Sequence, residues 1–108
     1  MGKRSRDKGA RGEREVAAIL RAAGYDAHRG AQHKGGPESP DVDGLPGVHI
    51  EVKRTERLSL YDALSQAKRD AGGKLPVVIH RRNESEWVVI QPLEDWLELF
   101  REYEAVRP

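Results

Sequence analysis

Six residues near the middle of the chain, Val48-His49-Ile50-Glu51-Val52-Lys53, alternate strictly between apolar and polar. That is the period of a β-strand, whose successive side chains point to opposite faces. Val48, Ile50 and Val52 are expected on a core, and His49, Glu51 and Lys53 on the other side. Asp43-Gly44 and Pro46-Gly47 come just before. They read as a tight connection back to a short strand ending near Asp41. A hairpin of this shape carries Asp41 up to Glu51, so that two carboxylates and an amine share one end of a sheet.

Two carboxylates held close repel each other, and one takes up a proton unless a cation lies between them. Hard oxygen ligands that converge without forming a full cage suit Mg²⁺, which keeps several waters of its own. A lysine next to such an ion can orient a water or steady the charge that builds on a phosphate. The parts fit metal-dependent phosphodiester hydrolysis. The same residues admit a plainer reading, in which Asp41 and Asp43 are turn residues and Glu51 and Lys53 a solvated strand face. A calcium loop fits less well. Asp41-Val42-Asp43-Gly44 places its glycine too early and lacks a third oxygen ligand.

A chain of 108 residues is enough for one compact domain with one modest core. It has no cysteine, which excludes disulfides and cysteine-based zinc sites and makes a reducing cytoplasm the expected setting. No apolar run is long enough to cross a membrane, and no signal-peptide core follows the basic N-terminus. The net charge of +1 conceals a strong polarity. Lys3, Arg4, Arg6, Lys8, Arg11 and Arg14 crowd one end, and Arg29, His33 and Lys34 precede the hairpin. Glu94, Asp95, Glu98, Glu102 and Glu104 gather at the other end. A molecule of this kind can turn one basic face to a phosphate backbone. The alternative is a solvated basic tail.

Residues 1–8 read as a flexible basic arm, with a single domain over 9–108. A helix is expected from about Ala10 to Ala23, with Val16, Ile19, Leu20 and Ala23 as its apolar stripe and Gly24 as its stop. Glu13 flanks that stripe and can lean towards the sheet, or serve only as an acid in the first turn. Tyr25–Arg29 is a plausible first strand, and Gly30–Ser39 a mobile glycine-rich loop. Ser59-Leu60-Tyr61-Asp62 looks like the start of a second helix, striped by Leu60, Leu64, Ala67 and Ala71. Gln66, Lys68 and Arg69 fall off that stripe and could reach solvent or DNA, with a solvated face the first reading for Gln66 and Arg69. Leu75–His80 and Trp87–Ile90 read as strands rich in valine and isoleucine. Pro92 suits a first helical position, and Leu93, Trp96, Leu97 and Phe100 stripe a last helix. Their first reading is core packing, and their second a partner surface. The order is α-β-β-β-α-β-β-α, a mixed sheet flanked by helices in one α/β domain.

Taken together, Lys8-Gly9-Ala10-Arg11-Gly12-Glu13-Arg14-Glu15, Gly24-Tyr25, Arg29, Pro40-Asp41, Ile50-Glu51-Val52-Lys53 and Leu75-Pro76-Val77-Val78-Ile79 form an ordered set. It resembles the archaeal-type Holliday junction resolvases, a branch of the PD-(D/E)XK nuclease superfamily, over about Lys8 to Ile90. The resemblance implies a restriction-endonuclease-like fold and a Mg²⁺-dependent endodeoxyribonuclease, with Mn²⁺ as a plausible substitute. It implies Asp41, Glu51 and the backbone carbonyl of Val52 as metal ligands, and Glu13 as a further carboxylate acting directly or through a water. Lys53 would be the catalytic lysine. Arg14 and Arg29 would lie near the DNA, joined in a basic surface by Lys8, Arg11, His33, Lys34 and Arg54. A homodimer cutting two symmetric strands of a four-way junction is implied as well.

Three features depart from the family pattern. The Gly30–Ser39 loop is long, Asp43 adds a second aspartate, and the chain ends soon after its last helix. They leave open a nicking or repair-type endonuclease with no junction preference. A DNA-binding adaptor without catalysis is the other alternative, and the intact Asp41, Glu51 and Lys53 argue against it. A protein-interaction module built on the acidic last helix rests on charge alone.

Overall fold

The computed structural model describes residues 3–30 and 39–107, with Ser5 described through its backbone only. His33, Lys34 and most of the expected glycine-rich loop lie outside the described residues. The elements run α1 (Lys3–Ala22), β1 (His28–Arg29), β2 (Val42–Asp43), β3 (Val48–Arg54), α2 (Leu60–Asp70), β4 (Leu75–Arg81), β5 (Val88–Ile90) and α3 (Leu93–Val106). One five-stranded sheet has the order β1-β2-β3-β4-β5. Only β3 and β4 pair in parallel, from Val48↔Leu75 to Arg54↔Arg81. The other three pairings are antiparallel. A parallel pair needs a long crossover, and α2 supplies it. The mixed sheet flanked by helices is the expected architecture.

β3 sits at the centre and is covered on both faces. On one face α1 packs Val16 and Ala17 against Val42, Ile50, Val52, Val77 and Ile79. On the other, Ala63 and Ala67 of α2 meet Val78. Val42, Ile50 and Val78 are fully buried, and each side chain of that size contributes about 1.5–3 kcal/mol on leaving water. The alternation of β3 survives as expected. Its polar row, however, lies under α2 instead of facing solvent, since His49 is 2% and Glu51 3% exposed.

Gly24 terminates α1 as expected. With φ of 103° it lets its own N–H reach Arg21 O (3.0 Å) and the N–H of Tyr25 reach Leu20 O (3.1 Å). That pair of bonds satisfies carbonyls the helix leaves open. Several boundaries move. α1 is already helical at Lys3, within the segment expected to be an arm. β1 shortens to His28–Arg29, and Asp41 precedes β2 where the sequence had it ending a strand.

Of the expected α2 stripe, Ala67 and Ala71 are buried and Leu64 packs partly against the core, but Ala63 is buried where Leu60 stays 38% exposed. Small residues let the helix lie close to the sheet, whereas a leucine stripe would hold it away. Ser59 precedes α2, but its hydroxyl donates to Asp62 Oδ2 (2.7 Å) and caps no backbone N–H. Pro92 is the cap of α3, one place before the first helical residue. Core packing fails for the last helix. α3 buries none of its residues, and Trp96, Leu97 and Phe100 are all exposed. Trp96 and Phe100 stack on each other instead, with ring centroids 5.4 Å apart.

Candidate active site

β2 and β3 pair with Val42 opposite Ile50, and this register sets Asp41 beside the second half of β3. The Asp41 backbone N–H donates to Ile50 O (2.9 Å), and its carboxylate Oδ2 accepts the Val52 N–H (2.8 Å). The side chain thus occupies the position a β2 backbone carbonyl would have taken. In a strand the N–H and C=O of one residue point to the same edge, so the Val52 carbonyl opens on the flank where Asp41 sits.

Glu51 is the buried member of the pair. Burial first, then the charge of Asp41 and a hydrogen bond with it, push the Glu51 carboxyl up to about 8, with Lys53 opposing. The two carboxyls therefore hold a proton between them at neutral pH. A cation relieves the same repulsion, and the oxygens already converge. His49 Nε2 lies 2.7 Å from Glu51 Oε2. Burial pushes this imidazole below its ordinary range, although Asp70 and Asp41 pull the other way.

Glu13 comes in from α1. Arg29 Nε donates to its Oε1 at 2.8 Å, and the Glu13 side chain is 13% exposed. Burial pushes its carboxyl above the ordinary range, the Arg29 hydrogen bond pulls it back, and Asp41 adds to the rise. Glu13 thus leans to the sheet and adjoins Asp41. Gly12 makes this approach possible, because a Cβ there would stand 2.9 Å from Arg54 Cβ. At the other side Lys53 Nζ donates to Gln66 Oε1 at 3.3 Å.

Gln66 is not on the solvent side that its place off the expected stripe implied. With Ala63 joining Ala67 on the buried face, it lies beside the sheet, a turn after Ala63. Asp70 was missed in the sequence. His49, Glu51 and Asp70 bring three potential ligand atoms within 4.8 Å of one another, so the described residues hold an acidic group able to bind a metal.

The basic residues are dispersed. Arg11 and Arg14 stand exposed along α1. Lys8 is 3.7 Å from Glu56. Arg54 projects to the α1 face, where it donates to Asn83 Oδ1 (2.8 Å) and lies 3.5 Å from Glu56. Asp43 is exposed and faces His28 across the β1–β2 pair at 4.0 Å.

Hard oxygen donors from Asp41, Glu51 and Val52, with one excess proton where a cation would sit, fit a divalent ion that tolerates few protein ligands. An ammonium group stands next to them on β3. Such a set can polarise a phosphodiester and steady the charge that develops on it.

The model of the archaeal Holliday junction resolvase family matches residues 4–104 of the chain. Among solved structures, that of Hjc, a Holliday junction resolvase from the archaeal hyperthermophile Archaeoglobus fulgidus, is similar in fold. The two share 28% identity with a TM-score of 0.59, over 78% of this chain and 72% of the other. No curated protein matches in sequence.

Proposed function

The chain belongs to the archaeal Holliday junction resolvase family, and on that premise we propose that it is a Mg²⁺-dependent endonuclease that cuts four-way DNA junctions as a homodimer. The observation that carries the chemistry is the Asp41–Glu51 pair. Their carboxyls are close enough to share a hydrogen bond, and burial holds Glu51 near 8. No helix among the described residues is long and apolar enough to cross a membrane.

In this reading Asp41, Glu51 and the Val52 carbonyl would hold Mg²⁺, with Glu13 as a supporting carboxylate. Mn²⁺, of similar hardness, substitutes. The bound ion supplies Lewis-acid activation of the phosphodiester and of the water that attacks it. Val52 N–H keeps the Asp41 carboxylate turned to the site. Arg29 keeps Glu13 from swinging out to solvent. Lys53 aligns the water or stabilises the charge on the pentavalent phosphorus, and Gln66 limits the arc of its ammonium group. Arg11 and Arg14, exposed on the helix that carries Glu13, meet the DNA backbone, as do Lys8, Arg29, His33, Lys34 and Arg54 in part.

The homodimer rests on α3. A helix of this length with no buried residue leaves Leu93, Trp96, Phe100 and Tyr103 in water. Large contiguous apolar surface is rare on a monomer and marks an interface. A two-fold partner covers it with the same helix and gives the enzyme a second site for the opposite strand of a junction.

Cleavage of a labelled four-way junction, set against linear, flapped and mismatched duplexes with and without Mg²⁺, tests the reading. Paired symmetric nicks in the junction, dependent on Mg²⁺, are expected. Equal nicking of all duplexes points to a repair-type nuclease instead. Tight, salt-sensitive binding with no cutting points to an adaptor.

A further inference from the structure

We infer that His49 is a positioning residue for Glu51, holding the carboxylate in the orientation in which it would bind a metal; this rests on the reading of Glu51 as a ligand. His49 is one of the largest fully buried side chains of the protein, and it is polar. A buried polar side chain at the centre of a sheet is costly unless it is hydrogen-bonded. Here the partner is Glu51, with 2.7 Å between Nε2 and Oε2 and both side chains at most 4% exposed.

The geometry divides the work between the two carboxylate oxygens. A carboxylate has no proton to give, so once Glu51 is ionised the imidazole nitrogen must be the donor. One oxygen is then tied to His49, and the other is left for a ligand. Among the described residues no backbone N–H holds Glu51 as Val52 holds Asp41; its partners are the side chains of His49 and Asp41. Without His49 its chain of single bonds can rotate, and binding a cation must then also fix that freedom. Carboxylate ligands are commonly held by an outer hydrogen bond of this kind, and its loss costs roughly 10–100-fold in metal affinity or activity.

His49 is not itself a ligand in this account. Mg²⁺ takes oxygen donors, and the His49 Nε2 is already engaged. Asp70, at the end of α2, brings its carboxylate within 4.8 Å of both the His49 nitrogen and the Glu51 oxygen.

The test compares the parent with His49→Leu and His49→Gln. The readouts are Mn²⁺ binding by calorimetry, the Mg²⁺ dependence of junction cleavage, and thermal unfolding without metal. His49→Leu is expected to weaken Mn²⁺ binding by roughly 10–100-fold and to raise the Mg²⁺ needed for half-maximal cleavage in step. His49→Gln carries an amide N–H able to replace the donor, and is expected to recover most of the affinity. If His49→Leu does not fold, His49→Phe, which fills the ring's volume, takes its place. Parent-like Mn²⁺ binding in the apolar variant overturns the inference. So does an equal loss in His49→Gln and His49→Leu, which would mark the imidazole as a ligand. A parent protein that takes up no Mn²⁺ overturns the metal-site reading itself, and the parent alone distinguishes that failure.

Discussion

The carboxylate of Asp41 accepts the backbone N–H of Val52 at 2.8 Å, eleven residues along the chain. This bond closes the end of the β2–β3 ladder with a side chain. It also leaves the carboxylate beside that of Glu51. Fold and site therefore share one hydrogen bond, and changes to the hairpin should register in both.

Gly30 is the neighbour most sensitive to this. Its N–H donates to Asp41 O at 2.9 Å, and a Cβ on it would lie 1.9 Å from Pro40 O. That atom is backbone and cannot swing aside. Gly30→Ala should lower stability by about 1–3 kcal/mol, as forced overpacking does, and should shift Asp41 away from Glu51. Chemical denaturation together with Mn²⁺ calorimetry checks both. Unchanged values in the two measurements would show that the β1–β2 pairing does not hold Asp41.

The pH dependence of the metal-free protein follows from Glu51. Its carboxyl is raised from 4.5 to about 8, chiefly by burial. The native state thus keeps a proton that the unfolded chain has released, so ν_U is below ν_N and stability falls as pH rises. The contribution is fully present below the unfolded value of 4.5 and is lost as pH passes through about 8. Urea midpoints should decline across that window, and saturating Mg²⁺ should flatten the decline. A midpoint that climbs over the same range would contradict the buried, protonated Glu51.

α3 gives a prediction that separates assembly from folding. Phe100 is 40% and Trp96 49% exposed, and no residue of the helix is buried. Phe100→Glu should convert a dimer to a monomer while leaving the thermal midpoint at low protein concentration nearly unchanged, since exposed substitutions usually act within about 0.5 kcal/mol. Sedimentation analysis reads the mass. A variant that stays dimeric places the interface elsewhere, and one that unfolds shows that α3 packs on its own domain.

Much of this was legible in the sequence because the chain states it locally. The alternation from Val48 to Lys53 set both the strand and the sides its residues take, and Gly24 marked the end of α1. What was not legible depended on distant contacts. Nothing near His49 says that α2 will cover it, because that follows from the parallel β3–β4 pairing and the crossover it requires. Of the expected α2 stripe, Ala67 and Ala71 are buried and Leu64 packs partly against the core, whereas Leu60 stays exposed and Ala63 is buried in its place. Ala63 carries little hydrophobic signal yet permits the closest approach, and without it neither the sheet-side place of Gln66 nor that of Asp70 is legible. Trp96 and Phe100 show the converse, since an apolar stripe identifies a face that wants burial without naming what buries it.

The most direct measurement is the cleavage rate of a labelled four-way junction in Mg²⁺ by the parent and by Asp41→Asn, with junction binding measured in parallel without metal. The substitution keeps an acceptor for the Val52 N–H and removes the charge. Cleavage should fall by at least about a hundredfold, the equivalent of losing a few kcal/mol of transition-state stabilisation, with binding retained. An Asp41→Asn protein that binds the junction and cuts it at the parent rate would contradict the account.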